Sequence, residues 1–187
     1  MPVTELDQKT ALVVIDLQKG VVALQGAHPM GGVIAKSREL ADAFRSYGLP
    51  VVLVNVNGAP AGRTERSRAG VAREEGWDML IPELGIQPTD HLVTKRTRGA
   101  FTGTDLEAYL RSEGVTQIVL TGVATSAGVE STARHAHELG FNVTLATDAM
   151  TDMSAESHDH SVARIFPGLG ETGTTEEILA LLAASRR

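Results

Sequence analysis

Two charged side chains that directly follow apolar runs could carry acid–base chemistry. Asp16 comes after residues 11–15 (ALVVI), and Lys95 comes after residues 91–94 (HLVT). If both runs are parallel strands, their carboxyl ends lie at the edge of the sheet where ligands bind in doubly wound folds. An ammonium group there keeps a carboxylate ionised or stabilises negative charge on a substrate oxygen. The pair predicts acid or base catalysis by Asp16 with Lys95 as its electrostatic partner, whereas each residue alone could be an ordinary turn or surface residue.

A third segment, residues 121–133 (TGVATSAGVESTA), is rich in small residues and is predicted to run from a strand end into a helix. Small residues let a substrate approach the backbone, and the N–H groups at a helix start stabilise developing negative charge. A catalytic nucleophile would sit on such a turn, but Gly128 offers no side chain. The alternative interpretation is that this glycine only allows close packing of helix and strand.

Several kinds of site are excluded by residue counts and spacing. The chain has no cysteine, so a disulfide, a thiolate metal site and a cysteine nucleophile are all unavailable. The six histidines lack a metal-ligand spacing; His135 and His137, for example, would point to different faces of a helix. After the first apolar run stands Lys19-Gly20-Val21 instead of Gly-x-Gly-x-x-Gly. We therefore expect neither a metal nor a cofactor.

The alternation of apolar runs with amphipathic stretches predicts the scaffold that must position these residues. The runs are β-branched and nearly continuous in apolar character, as strands covered on both faces must be. They are residues 11–15, 51–54, 91–94, 117–120 and 142–146. The predicted fold class is α/β, a Rossmann-like three-layer α/β/α arrangement with a central parallel sheet.

Spacings of three and four residues predict the helices between these runs. The first helix would bury an apolar face made of Val33, Ile34, Leu40, Ala41, Phe44 and Tyr47. Thr104 and Glu107 have the spacing of a capping box for a later helix. Residues 57–88, rich in Gly, Pro and Arg around Trp77, are predicted to form an active-site flap or interface loop. A partly helical loop that only covers one end of the sheet is the alternative.

Length, charge and hydropathy limit the organisation and the partners. A chain of 187 residues is expected to form a single domain over residues 1–187. Its net charge of −6 arises from mixed residues without a basic stripe, so nucleic acid is not an expected partner. Neither a signal peptide nor an apolar run of about 18 residues is present, so we expect a cytoplasmic protein without membrane association.

Three segments, in this order, resemble the isochorismatase-like hydrolase family of the cysteine hydrolase superfamily. They are residues 11–18 (ALVVIDLQ), Lys95 with residues 101–106 (FTGTDL), and residues 121–134. The cysteine hydrolases of this family, such as nicotinamidases, use an Asp, a Lys and a Cys, and the matching positions here are Asp16, Lys95 and Gly128.

The resemblance also implies the substrate pocket and the topology. It implies a cis peptide between Val123 and Ala124, and substrate contacts by Phe101, Ala124, Thr125 and Gly128. The expected strand order is 3-2-1-4-5, with a sixth strand near residues 170–173. Family members usually form dimers or tetramers, so a homo-oligomer is expected.

Glycine at position 128 changes the chemistry that the resemblance implies. Isochorismatases proper also have glycine there and protonate a vinyl ether from the aspartate, without a covalent intermediate. They carry a tyrosine and a glutamine where this chain has Ala124 and Val56, so isochorismate itself is not the expected substrate. The expected function is hydrolysis of a small molecule by general acid/base catalysis. The alternatives are a catalytically silent binding or scaffolding protein, and a Cys-to-Gly variant of an amide-cleaving cysteine hydrolase.

Overall fold

Six parallel strands form one sheet at the centre of the molecule. The computed structural model describes residues 2–65 and 73–185. The strands are β1 (Thr10–Ile15), β2 (Val51–Val56), β3 (His91–Lys95), β4 (Gln117–Val123), β5 (Asn142–Thr151) and β6 (Glu171–Gly173). Their order is β3-β2-β1-β4-β5-β6, and every neighbouring pair is parallel. The predicted fold class, strand order and sixth strand are therefore confirmed.

Helices cover both faces of this sheet and make it three-layered. They are α1 (Lys19–Val22), α2 (Met30–Ser46), α3 (Leu106–Ser112), α4 (Glu130–Glu138), α5 (Ala155–His160) and α6 (Thr175–Ala184). Alternate residues of β1 pack into opposite layers: Leu12 and Val14 lie with α2 and α6, whereas Val13 and Ile15 lie with α3 and α4. Because both faces are covered, all of β1 is buried, which explains its unbroken apolar sequence.

Two local predictions about helices are wrong. The apolar face of α2 ends before Tyr47, which follows the last helical residue and is 43% exposed. The capping box at Thr104 does not form, because α3 begins one residue later than that motif requires and Asp105 is its N-cap. The hydroxyl of Thr104 instead donates to the carbonyl of Ala100 at 2.6 Å.

The loop between β2 and β3 folds back over the connection from β1 to α1. The backbone N–H groups of Lys19 and Gly20 donate to the carbonyls of Met79 and Trp77, at 2.9 and 2.7 Å. A short 3-10 helix, Pro82–Leu84, follows and buries Leu84. The loop is thus partly helical, as the alternative interpretation expected, while residues 66–72 of the predicted flap lie outside the described residues. No helix in the described ranges is long and apolar enough to cross a membrane.

Candidate active site

Asp16 and Lys95 meet at the carboxyl edge of the sheet. Lys95 is the last residue of β3, and Asp16 follows the last residue of β1. The Nζ atom of Lys95 lies 2.7 Å from Oδ2 of Asp16 and 3.2 Å from the carbonyl oxygen of Thr97. Lys95 is 2% exposed and Asp16 is 6% exposed. The two groups therefore form a buried, hydrogen-bonded ion pair, at the place where strand positions alone predicted that they would meet.

The backbone at the end of β1 turns the Asp16 side chain toward its partner. Asp16 has a φ of 53°, in the left-handed region that residues other than glycine rarely adopt. Such a conformation costs roughly 1–3 kcal/mol and is retained where the surroundings enforce it, typically at functional sites. Hydrogen bonds hold it on both sides, from the N–H of Asp16 to the carbonyl of Val54 and from the N–H of Gln18 to the carbonyl of Asp16.

A close approach of β4 supports this turn. Gly122 has a φ of 112°, and a Cβ there would collide with the backbone of Ile15, the residue just before the acid. Only glycine combines that φ with this lack of space. Gly122 therefore lets β4 pass directly beside the strand end that carries Asp16.

The carboxyl of Asp16 has one engaged oxygen and one free oxygen. Oδ2 accepts the hydrogen bond from Lys95, whereas Oδ1 is buried and has no hydrogen-bond partner among the described residues. Burial raises the pKa of Asp16 from 3.8 to about 6, against the opposing attraction and hydrogen bond of Lys95. The group can therefore gain and lose a proton close to neutral pH.

Gly128 faces this pair from the next segment of chain. The residues after β4 begin with a π-helical turn, Thr125–Val129, which leads directly into α4. A Cβ built on Gly128 would lie 3.3 Å from Oδ2 of Asp16 and 2.9 Å from Cγ2 of Ile15. Any side chain at position 128 would thus point at the carboxyl group, where the resemblance places the third residue of the triad.

The other residues predicted to contact the substrate lie in different surroundings from one another. The peptide between Val123 and Ala124 is cis, as expected from the resemblance. The hydroxyl of Thr125 bonds to Nδ1 of His158 at 2.8 Å. Phe101 packs in the core, with its ring centroid 6.1 Å from that of Phe141. The described contacts of Thr125 and Phe101 do not join them to the ion pair, and their contact with substrate stays a prediction.

Asp152 also supports the site, and the sequence analysis missed it. It is 6% exposed, and its Oδ2 accepts from the N–H and the hydroxyl of Ser126 at 2.7 and 2.8 Å. It therefore anchors the π-helical turn that carries Gly128. The rule that found Asp16, a polar residue directly after a strand, would have found Asp152 too. The apolar run of β5 breaks at Thr147 and Asp148, so the strand was predicted five residues too short.

The acid groups around the site do not form a metal centre. Within the part of the chain that the structure describes, no cluster of three or more His, Cys, Asp or Glu side chains could hold a metal ion. The expectation of no metal and no cofactor stays a prediction. The arrangement offers a buried carboxyl with a tuned pKa, an ammonium group and a position without a side chain, which together suit proton transfer to or from a small molecule.

Known proteins resemble this chain in both sequence and fold. The sequence matches the isochorismatase domain over residues 10–177. It is 45% identical over 179 residues to the isochorismatase family protein YwoC of Bacillus subtilis, a match that covers 92% of this chain and 93% of that protein. An isochorismatase family protein from Burkholderia thailandensis superposes with a TM-score of 0.92 at 42% identity, covering 96% of this chain and 98% of that one.

A relative with a named activity extends the comparison. The ureidoacrylate amidohydrolase RutB of Stutzerimonas stutzeri is 30% identical over 178 residues, covering 79% of this chain and 72% of that protein. The chain belongs to the isochorismatase family of hydrolases.

Proposed function

We propose that the protein hydrolyses a small molecule by general acid/base catalysis, with Asp16 as the acid or base and Lys95 as its electrostatic partner. Water is the attacking group, Gly128 stands in place of the family's nucleophilic cysteine, and neither a covalent intermediate nor a cofactor takes part. The observation that carries this proposal is the buried pair in which Lys95 engages one oxygen of Asp16 and the other oxygen has no partner among the described residues.

The two oxygens of the carboxyl group have separate tasks in this mechanism. Lys95 fixes Oδ2 and orients the carboxyl plane, so Oδ1 is the oxygen that gives a proton to the substrate or takes one from water. A group with a pKa of about 6 is roughly one-tenth protonated at pH 7, so both forms are available during turnover. Lys95 also stabilises negative charge that develops on a substrate atom nearby.

Gly128 supports a route without a covalent intermediate. The site has no attacking side chain at this position, and the chain has no cysteine elsewhere. The glycine places no side chain beside Oδ2 of Asp16, since a Cβ there would lie 3.3 Å from Oδ2 and 2.9 Å from Cγ2 of Ile15. The relative RutB is named for the amide hydrolysis of ureidoacrylate, so ureido compounds and amides belong beside vinyl ethers among the substrates to test.

We also propose that the chain is one cytoplasmic domain that assembles as a dimer or tetramer. A single hydrogen-bonded sheet that joins strands from Thr10 to Gly173 supports one domain. The family resemblance supports the oligomer. Light scattering of the purified protein would measure its molar mass and thus the number of subunits. The negative net charge argues against nucleic acid as a partner.

The test is a substrate panel of vinyl ethers, amides, ureido compounds and esters, with products detected by mass spectrometry. Asp16→Asn keeps the shape of the side chain and removes its titratable proton, so turnover should fall by about 10²-fold or more. Asp42→Asn, on the exposed surface of α2, is the matched control and should keep full turnover. Full activity in Asp16→Asn would refute the proposed mechanism.

Two other outcomes would replace the proposal. Saturable binding of a panel compound without any turnover would identify a catalytically silent binding protein. Amide hydrolysis that appears only in Gly128→Cys would identify a cysteine hydrolase that has lost its nucleophile.

A further inference from the structure

A cavity lies between α2, β5 and α5. Its volume is about 460 Å³, within the usual range for small-molecule pockets. We call it the α2–α5 cavity, and its lining includes His28, Val33, Lys36, Met150, His158 and Val162. Asp16, Lys95 and Gly128 do not line it, so the ion pair is not part of this cavity.

His158 presents an unused nitrogen to the cavity. The residue is only 8% exposed, and its Nδ1 bonds to the hydroxyl of Thr125 at 2.8 Å. Its Nε2 makes no hydrogen bond with any described residue, and this atom is not sealed away from solvent. Since His158 lines the cavity, Nε2 opens into it. A nearly buried ring with one nitrogen anchored and one free is suited to binding a ligand.

The polar side of the cavity favours negative charge. The ring of His28 lies 4.5 Å from that of His158, centroid to centroid. The first turn of α2 borders the cavity with no acidic residue, and its N-cap Pro29 provides no side-chain hydrogen bond, so the positive end of the helix dipole is not neutralised there. Lys36 also lines the cavity, but its charge is compensated by Asp148, 2.6 Å away. The imidazole of His158 and the start of α2 are therefore the features on this side that match an anionic head group.

The acidic residue and the lysine in the lining neutralise each other. Asp148 has both carboxylate oxygens engaged, Oδ2 with Lys36 at 2.6 Å and Oδ1 with the N–H of Thr175 at 2.8 Å. The remaining walls are apolar, from Val33, Met150 and Val162. The cavity thus combines hydrogen-bond donors on one side with hydrocarbon on the other, which is the arrangement that binds a small amphipathic acid.

We propose that the α2–α5 cavity is a binding site for a small organic carboxylate. The carboxylate accepts a hydrogen bond from Nε2 of His158, and the apolar body of the ligand lies against Val33, Met150 and Val162. Binding selects the imidazole tautomer with its proton on Nε2, so the hydroxyl of Thr125 donates to Nδ1. Because Thr125 is the first residue of the turn that carries Gly128, a ligand in this site also holds the start of that turn in place through the bond between His158 and Thr125.

Calorimetric titration tests the proposal with acetate, butyrate, hexanoate and benzoate, and with butyramide and benzamide as neutral isosteres. At least one carboxylate should bind saturably, and its amide should bind at least about tenfold more weakly, the value of one charge-assisted hydrogen bond. A lack of saturable binding by all four acids, or equal binding of an acid and its amide, would overturn the proposal.

A pair of variants at Gly32 locates the ligand. Gly32 lines the cavity in the first turn of α2, and a Cβ there meets no described atom within 4 Å. Gly32→Glu places a carboxylate in the cavity without steric cost and should weaken acid binding at least about tenfold, whereas the neutral Gly32→Gln should change it far less. His158→Gln should weaken binding as well.

Asp16→Asn separates this site from the proposed catalytic site. Acid binding should be unchanged in that variant, whether or not turnover is lost. If Asp16→Asn abolished binding while Gly32→Glu left it intact, the acid would occupy the Asp16–Lys95 site and the α2–α5 cavity would not be its binding site.

Discussion

Replacing Lys95 with methionine should destabilise the protein increasingly as the pH rises. Methionine keeps most of the apolar stem and removes the ammonium group that lies 2.7 Å from the buried carboxyl of Asp16. Burial already raises the pKa of Asp16 to about 6, and Lys95 opposes that rise. Without Lys95 the pKa of Asp16 rises further, because an isolated carboxylate is costly to bury.

The sign of the pH effect follows from proton uptake. In the parent protein Asp16 binds a proton more readily when folded than when unfolded, so its contribution to the free energy of unfolding falls as pH rises from about 4 to about 6 and is then level. In Lys95→Met the fall continues above pH 6, by at most about 1.4 kcal/mol for each pH unit. Relative to the parent protein, this effect lowers the free energy of unfolding of Lys95→Met by at most about 2.7 kcal/mol at pH 8 and by close to zero at pH 5.

Urea unfolding followed by circular dichroism at pH 5 and pH 8 measures this difference directly. Effects of the substitution that do not depend on pH cancel when the two conditions are compared. Lys36→Met is the matched control, since it removes the lysine from the more exposed ion pair with Asp148. Burial alone would raise the pKa of Asp148, but hydrogen bonds from Lys36 and Thr175 and the charge of Lys36 lower it. Both pH 5 and pH 8 therefore lie above that pKa. The control should cost up to about 1 kcal/mol, equally at both pH values. An equal loss at pH 5 and pH 8 in Lys95→Met would refute the assignment of Asp16 as the group that loses its partner.

Two further predictions concern the turn beside the ion pair. Gly128→Ala should lower the melting temperature, because its Cβ would lie 2.9 Å from the stiff side chain of Ile15 and overpacking costs about 1–3 kcal/mol. In Gly31→Ala the added Cβ meets no described atom within 4 Å, so this variant should be more stable by about 0.5–1 kcal/mol and should melt at a higher temperature. A higher melting temperature for both variants would contradict the predicted crowding at position 128. Asp152→Ala should speed amide hydrogen exchange at Ser126, whose N–H it accepts at 2.7 Å, and unchanged exchange would show that Asp152 does not anchor the turn.

The sequence predicts the sheet well because its signals are local and repeated. Each central strand is covered on both faces, so a short apolar run marks it, and the residue after the run marks the carboxyl edge of the sheet. This reasoning located both Asp16 and Lys95. It failed for β5, where Thr147 and Asp148 interrupt the apolar run, and so it missed Asp152.

Details of local hydrogen bonding and properties that depend on distant segments could not be predicted from the sequence. The turn that carries Gly128 is π-helical, and the capping box at Thr104 gave way to a bond with a nearby carbonyl. The pKa of Asp16 depends on how fully the surrounding layers exclude water, which no motif encodes. The α2–α5 cavity likewise joins His28 with His158, which are 130 positions apart in the sequence.

The glycine at position 128 determines what the carboxyl group of Asp16 is free to do. A side chain there would begin 3.3 Å from Oδ2 and would become a direct neighbour of the acid. In this structure burial raises the pKa of Asp16 and the ammonium group of Lys95 opposes that rise, and Oδ1 stays unpartnered among the described residues. In the proposed mechanism the acid therefore acts on the substrate itself instead of activating a nucleophile. The acid and the ammonium group are held at the ends of β1 and β3, and none of the hydrogen bonds described for their side chains involves residue 128.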